Sequence, residues 1–424
     1  MEITESKPAR KLFNGDRTIW AIVFILCAIS LIEVFSASSR LTFGKSSFLR
    51  PFISHSGHMA IGLAVMWGVH KLHYKWYRLF PILLVPMAVI LLAYLSFQSK
   101  GTEGAERWIS LGFVQLQPSE VGKLGVVMSV AYLLSKLKPD DELSQINIFW
   151  KIMLLTGLVC ALIVGENLST ALLLAGVVYV MMILGGIAWK RILILTGVVA
   201  ATGVVALLFL LYVPPQTLKE MKFVPERALT WQNRLLDYFQ AKDKPNALEY
   251  AKFEAPEKPQ ETHANIAIAT SNILGKGPGN SVERDYLQEA SCDFIYAIII
   301  EELGMLGGVF VMLIYVVLLF RVGRIANKCK EKYPAYLALG LGMMLGLQAF
   351  INMSVAVGLF PVTGQPLPLI SKGGTSVAAT CFCIGMMLGI SNTIEKEERG
   401  EQMLGTGADV PAPVDGNESF DEIN

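Results

Sequence analysis

Long apolar runs recur along almost the whole chain, and they restrict its fold more than any other feature. An α-helix needs about 20 mainly apolar residues to cross a bilayer. Runs of about that length predict ten transmembrane helices, at residues 19–38, 56–69, 79–97, 119–135, 149–165, 167–188, 192–213, 293–320, 336–359 and 373–392. Only 17% of the residues are charged, against about a quarter in soluble domains. The sequence therefore predicts an all-α, polytopic membrane protein with one long loop at residues 214–292.

Lysine and arginine predict which side of the membrane each loop faces. Short segments on the side of the N-terminus hold about 19 basic residues, and short segments on the other side hold 6. Cytoplasmic segments carry the excess of basic residues, so both termini are predicted to be cytoplasmic. Loops 98–118, 214–292 and 360–372 are then extracytoplasmic. The net charge of +1, without a dense basic patch, argues against binding of nucleic acid.

The predicted helices define a simple domain organisation. A short N-terminal tail, residues 1–18, precedes the ten-helix domain at residues 19–393. The last segment, residues 394–424, is acidic and rich in glycine, proline and asparagine. Such a composition cannot bury enough apolar surface to fold, so this tail is predicted to be disordered.

Three carboxylates lie close together at the start of the eighth predicted helix. Asp293 lies at the N-terminal end of this helix, and Glu301 and Glu302 follow in the sequence. An ionisable group near the bilayer centre costs at least about 2.5 kcal/mol, so it normally faces protein or a wet cavity. At about 100° per residue, Glu301 lies about 80° around the helix from Asp293 and could line the same cavity. Glu302 lies nearly opposite and is expected to pair with a neighbouring helix.

The first extracytoplasmic loop and the helix after it carry a second set of charged residues. Arg107 and Trp108 could bind a substrate, or they could anchor the chain in the membrane interface, where tryptophan is enriched. Glu120 and Lys123 are three residues apart, so they share one face of the fourth helix. They form either an internal ion pair or part of a site, and the spacing alone leaves both alternatives open.

The last extracytoplasmic loop contains too much proline and glycine to form a regular helix. Its stretch 361–376 includes Ser371, Lys372, Gly373 and Gly374. Irregular backbone near the bilayer persists only where protein or a wet cavity satisfies its polar groups. The amides of this loop could bind an anion, and the alternative is a plain re-entrant turn.

Four further features are interpreted structurally. Gln348 and Asn352 share a face of the ninth helix and are interpreted as interhelical hydrogen-bonding residues. Residues 165–167 interrupt a long apolar stretch and predict a tight turn. The amphipathic stretch 231–239 is predicted to lie along the membrane surface. The glycine-rich stretch 275–281 is interpreted as a flexible loop and not a nucleotide-binding loop, since no strand precedes it.

Taken together, these segments resemble the SEDS family of shape, elongation, division and sporulation proteins, which includes FtsW, RodA and SpoVE. The family pattern Gly-Ala-x-Arg-Trp, followed by Gln-Pro-Ser-Glu-x-x-Lys-Leu, matches residues 104–108 and 117–124. Its Glu-Ala-x-x-Asp-Phe-Ile, followed by Glu-Glu-Leu-Gly, matches within 286–304, and its Leu-Pro-x-Ile-Ser-x-Gly-Gly matches within 358–376. Gly-Asn-Ser at 279–281 looks more like the division branch, that of FtsW, than the elongation branch, that of RodA.

The resemblance implies a peptidoglycan glycosyltransferase. Such an enzyme polymerises lipid II at the outer face of the bacterial cytoplasmic membrane, and the division branch does so at the septum. We assign Asp293 as the general base that takes the proton of the acceptor sugar hydroxyl. Further candidates for binding the substrate or its diphosphate are Arg107, Trp108, Glu120, Lys123, Glu301, Ser371, Lys372, Gly373 and Gly374. The sequence indicates no definite cofactor, and a Mg or Mn ion that bridges diphosphate and carboxylate stays an open alternative.

The chain departs from the family pattern at several positions. Asn167 stands where the family usually has aspartate, and Gln288 stands where it has proline. Ser291 and Cys292 replace the usual His-Thr, and Lys372 replaces the usual tyrosine. Asp293 itself matches.

Two other functions stay open beside the enzyme. A lipid II flippase would use intramembrane carboxylates too, but it should show a charged path towards the inner face. A scaffold that only recruits other divisome proteins would not require Asp293. The unusual groups cluster at the outer side, which favours the enzyme. The resemblance also implies a class B penicillin-binding protein, a transpeptidase, as partner.

Overall fold

The structure, a computed structural model, contains a helix at each of the ten predicted spans. It describes residues 14–38, 50–98, 108–111, 114–214, 217, 228–241, 260–287 and 292–406. The ten helices are α1 (Arg17–Ser38), α2 (Arg50–His70), α3 (Phe80–Gln98), α4 (Pro118–Ser135), α5 (Glu142–Val164), α6 (Leu168–Leu184), α7 (Trp189–Tyr212), α10 (Ile295–Lys328), α11 (Lys332–Ala356) and α12 (Gly374–Thr406). Within the described residues, seven are long and apolar enough to cross a membrane, and α6 is a shorter apolar helix. The predicted polytopic helical fold is confirmed.

The connecting segments contain regular structure that the sequence only partly predicted. The long loop contains α8 (Ala228–Ala241), which includes the predicted amphipathic stretch, and α9 (Gln260–Thr270). The all-α prediction missed a small antiparallel hairpin of β1 (Ile109–Leu111) and β2 (Val114–Leu116). Apolar and polar residues alternate in both strands, with β-branched residues at their starts, which favours strand pairing.

Small residues let the helices approach closely. α12 packs against α2, and α3 packs against α4. A Cβ atom at Gly385 of α12 would lie 2.8 Å from the carbonyl oxygen of Met66, so only glycine fits there. In lipid, where apolar surface gains little from leaving the solvent, such close contacts hold helices together. α7 is the opposite case: Ile192 is its one buried residue, and most of its other side chains are exposed on the surface that faces lipid.

α10 is broken at Gly304, where φ is 75° and ψ is 179°. The Tyr296 hydroxyl donates to the carbonyl oxygen of Gly308 at 3.0 Å. In a continuous helix these residues would lie about 18 Å apart along the axis, beyond the reach of a tyrosine. The short helix 295–303 therefore folds back against the start of 305–328, which at about 36 Å is long enough to span the bilayer by itself. The predicted continuous span 293–320 is wrong in this respect.

Successive helices run in opposite directions, so their ends form two faces. The loop face carries the hairpin and segments 271–287 and 357–373, and the opposite face carries segments 71–79 and 136–141. The prediction that everything after residue 393 is disordered is wrong for residues 394–406, which continue α12. Glutamate, lysine and arginine are good helix formers, and Glu398 pairs with Lys328 at 3.1 Å.

Candidate active site

Asp293 lies in a turn on the loop face whose backbone is held from two directions. The turn, residues 292–294, immediately precedes α10. Asn352 of α11 donates from Nδ2 to the carbonyl oxygen of Asp293 at 2.9 Å. Ser371 donates its hydroxyl to the carbonyl oxygen of Cys292 at 2.6 Å. These bonds fix the backbone from which the partly exposed Asp293 side chain projects.

Segment 361–373 enters the helix bundle, as its proline and glycine content predicted. Tyr315, which lies about 15 Å along the helix from the break in α10, donates its hydroxyl to the carbonyl oxygen of Pro368. Gln348 of α11 donates from Nε2 to the carbonyl oxygen of Pro366 at 2.9 Å. The irregular backbone thus finds its hydrogen bonds within the protein, as the low-dielectric surroundings require.

Side chains from four helices fix the same segment. Gln365 donates to the Thr170 hydroxyl of α6 at 2.6 Å, and its carbonyl oxygen accepts from Asn352 at 2.7 Å. On the other side, Ser30 of α1 donates to the carbonyl oxygen of Ile370 at 2.8 Å and accepts from His55 of α2 at 2.8 Å. The segment that carries Ser371 is therefore a rigid part of the site.

Two amide oxygens in this network accept no hydrogen bond from the described residues. Asn352 Oδ1 and Gln365 Oε1 are both buried without a hydrogen-bond partner there. Each amide group uses its nitrogen as a donor to the network. The described part of the chain therefore leaves two buried acceptors of this network unused.

Glu120 and Lys123 form the ion pair that their spacing allowed. The Lys123 ammonium lies 2.8 Å from a Glu120 carboxylate oxygen, and its side chain is fully buried. It also donates to Gln348 Oε1 at 3.0 Å. Lys123 thus connects α4 to the amide that holds Pro366. Its ammonium faces protein on all sides in this structure.

Glu301 and Glu302 bind the glycine-rich loop instead of facing Asp293. Glu301 pairs with Lys276 at 2.6 Å and accepts from Ser281 and from the amide of Val282. Glu302 accepts from the Ser36 hydroxyl of α1 and from the amide of Gly279. The expectation that Glu302 pairs with a neighbouring helix is confirmed. Glu301 does not extend towards Asp293, because its carboxylate is engaged by Lys276, Ser281 and the amide of Val282.

The remaining candidates occupy different positions on the loop face. Arg107 lies outside the described residues, and Trp108 is half-buried directly before β1. Gly374 begins α12, and a Cβ there would lie 3.0 Å from the His58 ring, so it allows close approach of α2. Gly373 and Lys372 are partly exposed beside Ser371.

An apolar groove that no sequence pattern predicts lies beside the site. The groove has a volume of about 460 Å³ and lies between α6, α8, α11 and residues 360–363. Leu347 and Ile351 of α11, each next to a residue of the amide network, form part of its wall. Asn167, the N-cap of α6, and Arg234, which donates to the carbonyl oxygen of Val362 at 2.9 Å, lie at its polar end.

Among the described residues, no three histidine, cysteine, aspartate or glutamate side chains lie close enough together to hold a metal ion. The sequence did not point to several polar residues that hold the site, among them Ser30, Thr170 and Gln365. Their only signal is that polar side chains at these depths are costly and need partners. Gln348 and Asn352 were recognised as hydrogen-bonding residues, but their main partners are Lys123 and backbone oxygens.

Comparison with known proteins agrees with this architecture. The family model for FtsW, RodA and SpoVE, described as a cell cycle protein, matches residues 16–396. A protein of Nitrosomonas europaea is 30% identical over 91% of this chain and 95% of its own length. One of Coxiella burnetii is 28% identical over 89% of this chain and 96% of its own length. Both are named probable peptidoglycan glycosyltransferase FtsW.

Two solved structures have the same fold. One, from work on structural coordination of polymerization and crosslinking by a peptidoglycan synthase complex, has a TM-score of 0.68 and 24% identity, covering 90% of this chain and 98% of the other. The rod shape determining protein RodA of Thermus thermophilus has a TM-score of 0.61 and 22% identity, covering 89% of this chain and 96% of its own.

Proposed function

This chain belongs to the FtsW/RodA/SpoVE family, and we propose that it is a peptidoglycan glycosyltransferase that polymerises lipid II at the outer face of the cytoplasmic membrane. The names of its relatives support the activity. The basic residues on the opposite face support an outer position for the site, because cytoplasmic loops carry such residues. A lipid-linked sugar needs a site at this depth, since its lipid stays in the bilayer while its sugar is in water.

The reaction needs one base and stabilisation of a leaving diphosphate. The acceptor sugar hydroxyl attacks the anomeric carbon of the donor, the bond from that carbon to the diphosphate oxygen breaks, and the hydroxyl proton goes to the base. Polyprenyl diphosphate is a weak base, so it leaves without a general acid. This differs from most glycoside hydrolysis, which uses two carboxylates.

We assign the base to Asp293. One observation carries this assignment: the turn that holds Asp293 is hydrogen-bonded on both sides, to Asn352 and to Ser371, beside a re-entrant segment. A base has to be held within a fraction of an ångström of its substrate to be efficient.

The cations for the diphosphate are Arg107 and Lys372, with Arg234 at the end of the apolar groove. Arginine suits a diphosphate because its planar guanidinium donates two parallel hydrogen bonds. Lys123 has a different role in this proposal. Since it is buried against Glu120 and Gln348, it acts as a positioning residue for the re-entrant segment. The groove between α6, α8 and α11 takes an apolar chain of a lipid-linked substrate.

We further propose septal wall synthesis with a class B penicillin-binding protein as the physiological setting. The resemblance to FtsW, including Gly-Asn-Ser at 279–281, supports the division branch. The similarity in fold to a protein in a peptidoglycan synthase complex supports a partner of this kind.

Polymerisation of lipid II by the purified protein, with and without the transpeptidase, tests the activity. Asp293→Asn keeps the shape of the side chain but removes the base, so the rate should fall about 10²- to 10⁴-fold. Asp293→Glu should also be impaired because it moves the base. Asp285→Asn, at a partly exposed aspartate on the same face, is the matched control and should keep the activity. Each variant should unfold at the same temperature as the parent.

The same experiment separates the alternatives. Near-normal polymerisation by Asp293→Asn would refute its assignment as the base. A flippase would translocate lipid II but show no polymerase activity in the parent protein. A scaffold would support division equally well with Asp293→Asn. Arg107→Ala should lower the rate, and Arg107→Lys should restore it only in part, because a point charge cannot replace a planar fork.

A further inference from the structure

A second groove lies on the opposite face, at the other end of α4 from Glu120 and Lys123. It has a volume of about 770 Å³ and lies between the ends of α3, α4 and α5. It opens beside a close contact between α3 and α4, where a Cβ at Gly125 would lie 3.0 Å from the Val85 side chain. Pro86, in the wall of the groove, removes one helical hydrogen bond of α3 at this point.

The walls of this groove are apolar and open towards lipid. Ile82 of α3 is 71% exposed, and Leu133 and Leu155 line the other sides. In a membrane-spanning helix, an exposed apolar side chain at this depth faces acyl chains. The volume is within the range of pockets that bury a small-molecule ligand.

Two cations lie at the end of the groove that reaches the opposite face, and two tyrosines hold them there. The Arg78 guanidinium lies 5.1 Å from the ring centre of Tyr333, and the Lys136 ammonium lies 4.9 Å from that of Tyr132. The two rings contact each other edge to face. Such contacts orient a cation without using its hydrogen-bond donors on another side chain.

The cations keep donors for a ligand. Arg78 donates one nitrogen, Nη2, to Glu331 at 2.7 Å, and 38% of its side chain stays exposed, so the guanidinium can contact a ligand from its open side. Lys136 has no carboxylate within ion-pair distance among those residues. The mouth of the groove therefore has a net positive charge that Glu331 only partly neutralises.

We propose that this groove binds an anionic phospholipid, with its phosphate between Arg78 and Lys136 and an acyl chain along Ile82 and Leu133. The apolar groove suits the acyl chain of such a lipid, and the cations at its mouth suit the anionic headgroup. Basic pockets between transmembrane helices on the cytoplasmic side are a known form of anionic lipid recognition. The distribution of basic residues predicts that this face is cytoplasmic. The lipid wedges between α3 and α5 and is a structural ligand, not the substrate.

Native mass spectrometry of the full-length protein with added phosphatidylglycerol or phosphatidylcholine tests this proposal. We expect retained adducts of phosphatidylglycerol and few of phosphatidylcholine. Lys136→Gln should weaken phosphatidylglycerol binding about fivefold, which corresponds to about 1 kcal/mol for one basic residue at an anionic surface. Lys190→Gln, at an exposed lysine at the start of α7 on the same face, is the matched control and should bind as the parent does.

A second pair of variants tests the apolar part without changing any charge. Ile82→Trp fills the groove and should also reduce the adducts. Ile194→Trp, at a comparably exposed position of α7, should not. Equal binding of both lipids, or equal behaviour of Lys136→Gln and Lys190→Gln, would overturn the proposal. The proposal would also be overturned if Ile82→Trp, shown to be folded by its circular dichroism spectrum, formed as many phosphatidylglycerol adducts as the parent.

Discussion

Replacement of Lys123 by methionine should destabilise the protein strongly, because it leaves Glu120 as an isolated buried carboxylate. The pair has an oxygen–nitrogen distance of 2.8 Å, and the exposed fractions of the two side chains are 0% for Lys123 and 9% for Glu120. Removal of one partner of such a pair typically costs about 3–5 kcal/mol. Glu120 lies in the first turn of α4, where the helix dipole favours a negative charge by about 0.3–1 kcal/mol. We therefore expect a loss of about 3 kcal/mol, at the lower end of this range.

The double variant Glu120→Gln, Lys123→Met should recover most of that loss. It contains no buried charge, and replacing both members of a buried pair is often nearly neutral. The free energy of unfolding can be measured by titration with dodecyl sulfate in lipid bicelles, followed by circular dichroism. The double variant should lie within about 1 kcal/mol of the parent, and it should therefore be about 2 kcal/mol more stable than Lys123→Met alone.

Polymerisation by the same variants separates a structural role from a direct one. If Lys123 positions the re-entrant segment through Gln348, the folded double variant should keep part of the activity. Equal destabilisation in the single and double variants would refute the ion-pair reasoning. A stable double variant with no activity, but with normal lipid II binding and normal segment geometry, would mean that Lys123 itself contacts the reacting groups.

The remaining predictions concern topology and the break in α10. Burial, with a further contribution from Glu397, raises the pKa of the Cys329 thiol to about 12, so this cysteine should react slowly with maleimides whichever side it faces. Topology is better tested in a cysteine-free variant that carries one new cysteine. A membrane-impermeant maleimide added to sealed cells should label Asn280→Cys but not Asp140→Cys. The reverse labelling pattern would contradict the assigned sides of the membrane. Gly304→Ala should abolish folding, because its Cβ would lie 2.2 Å from the carbonyl oxygen of Ile273 at a φ of +75°; normal accumulation in the membrane would refute the break.

Local patterns in the sequence were enough to predict the apolar helices and to predict which residues share one face of a helix. The ten apolar runs each gave a helix because hydrophobicity and length are properties of a continuous segment. Helical spacing placed Glu120 and Lys123 on one face of α4, and the structure shows that they form an ion pair. The irregular segment 361–373 followed from its prolines and glycines, since these residues exclude regular helix wherever they occur.

Only the tertiary structure decided which distant residues meet. Gln365 bonds to Thr170, 195 residues away, and Asn352 bonds to the backbone of Asp293, 59 residues away. The apolar run through Gly304 looks continuous because hydrophobicity does not record a change of chain direction, and the break depends on contacts with Ile273 that no local pattern contains. The sequence by itself therefore determined where the ten apolar helices lie and, through the family resemblance, pointed to Asp293. The partners of Glu301 and the two grooves arise from long-range packing, in which each polar group inside the membrane takes whichever partner the folded chain brings within reach.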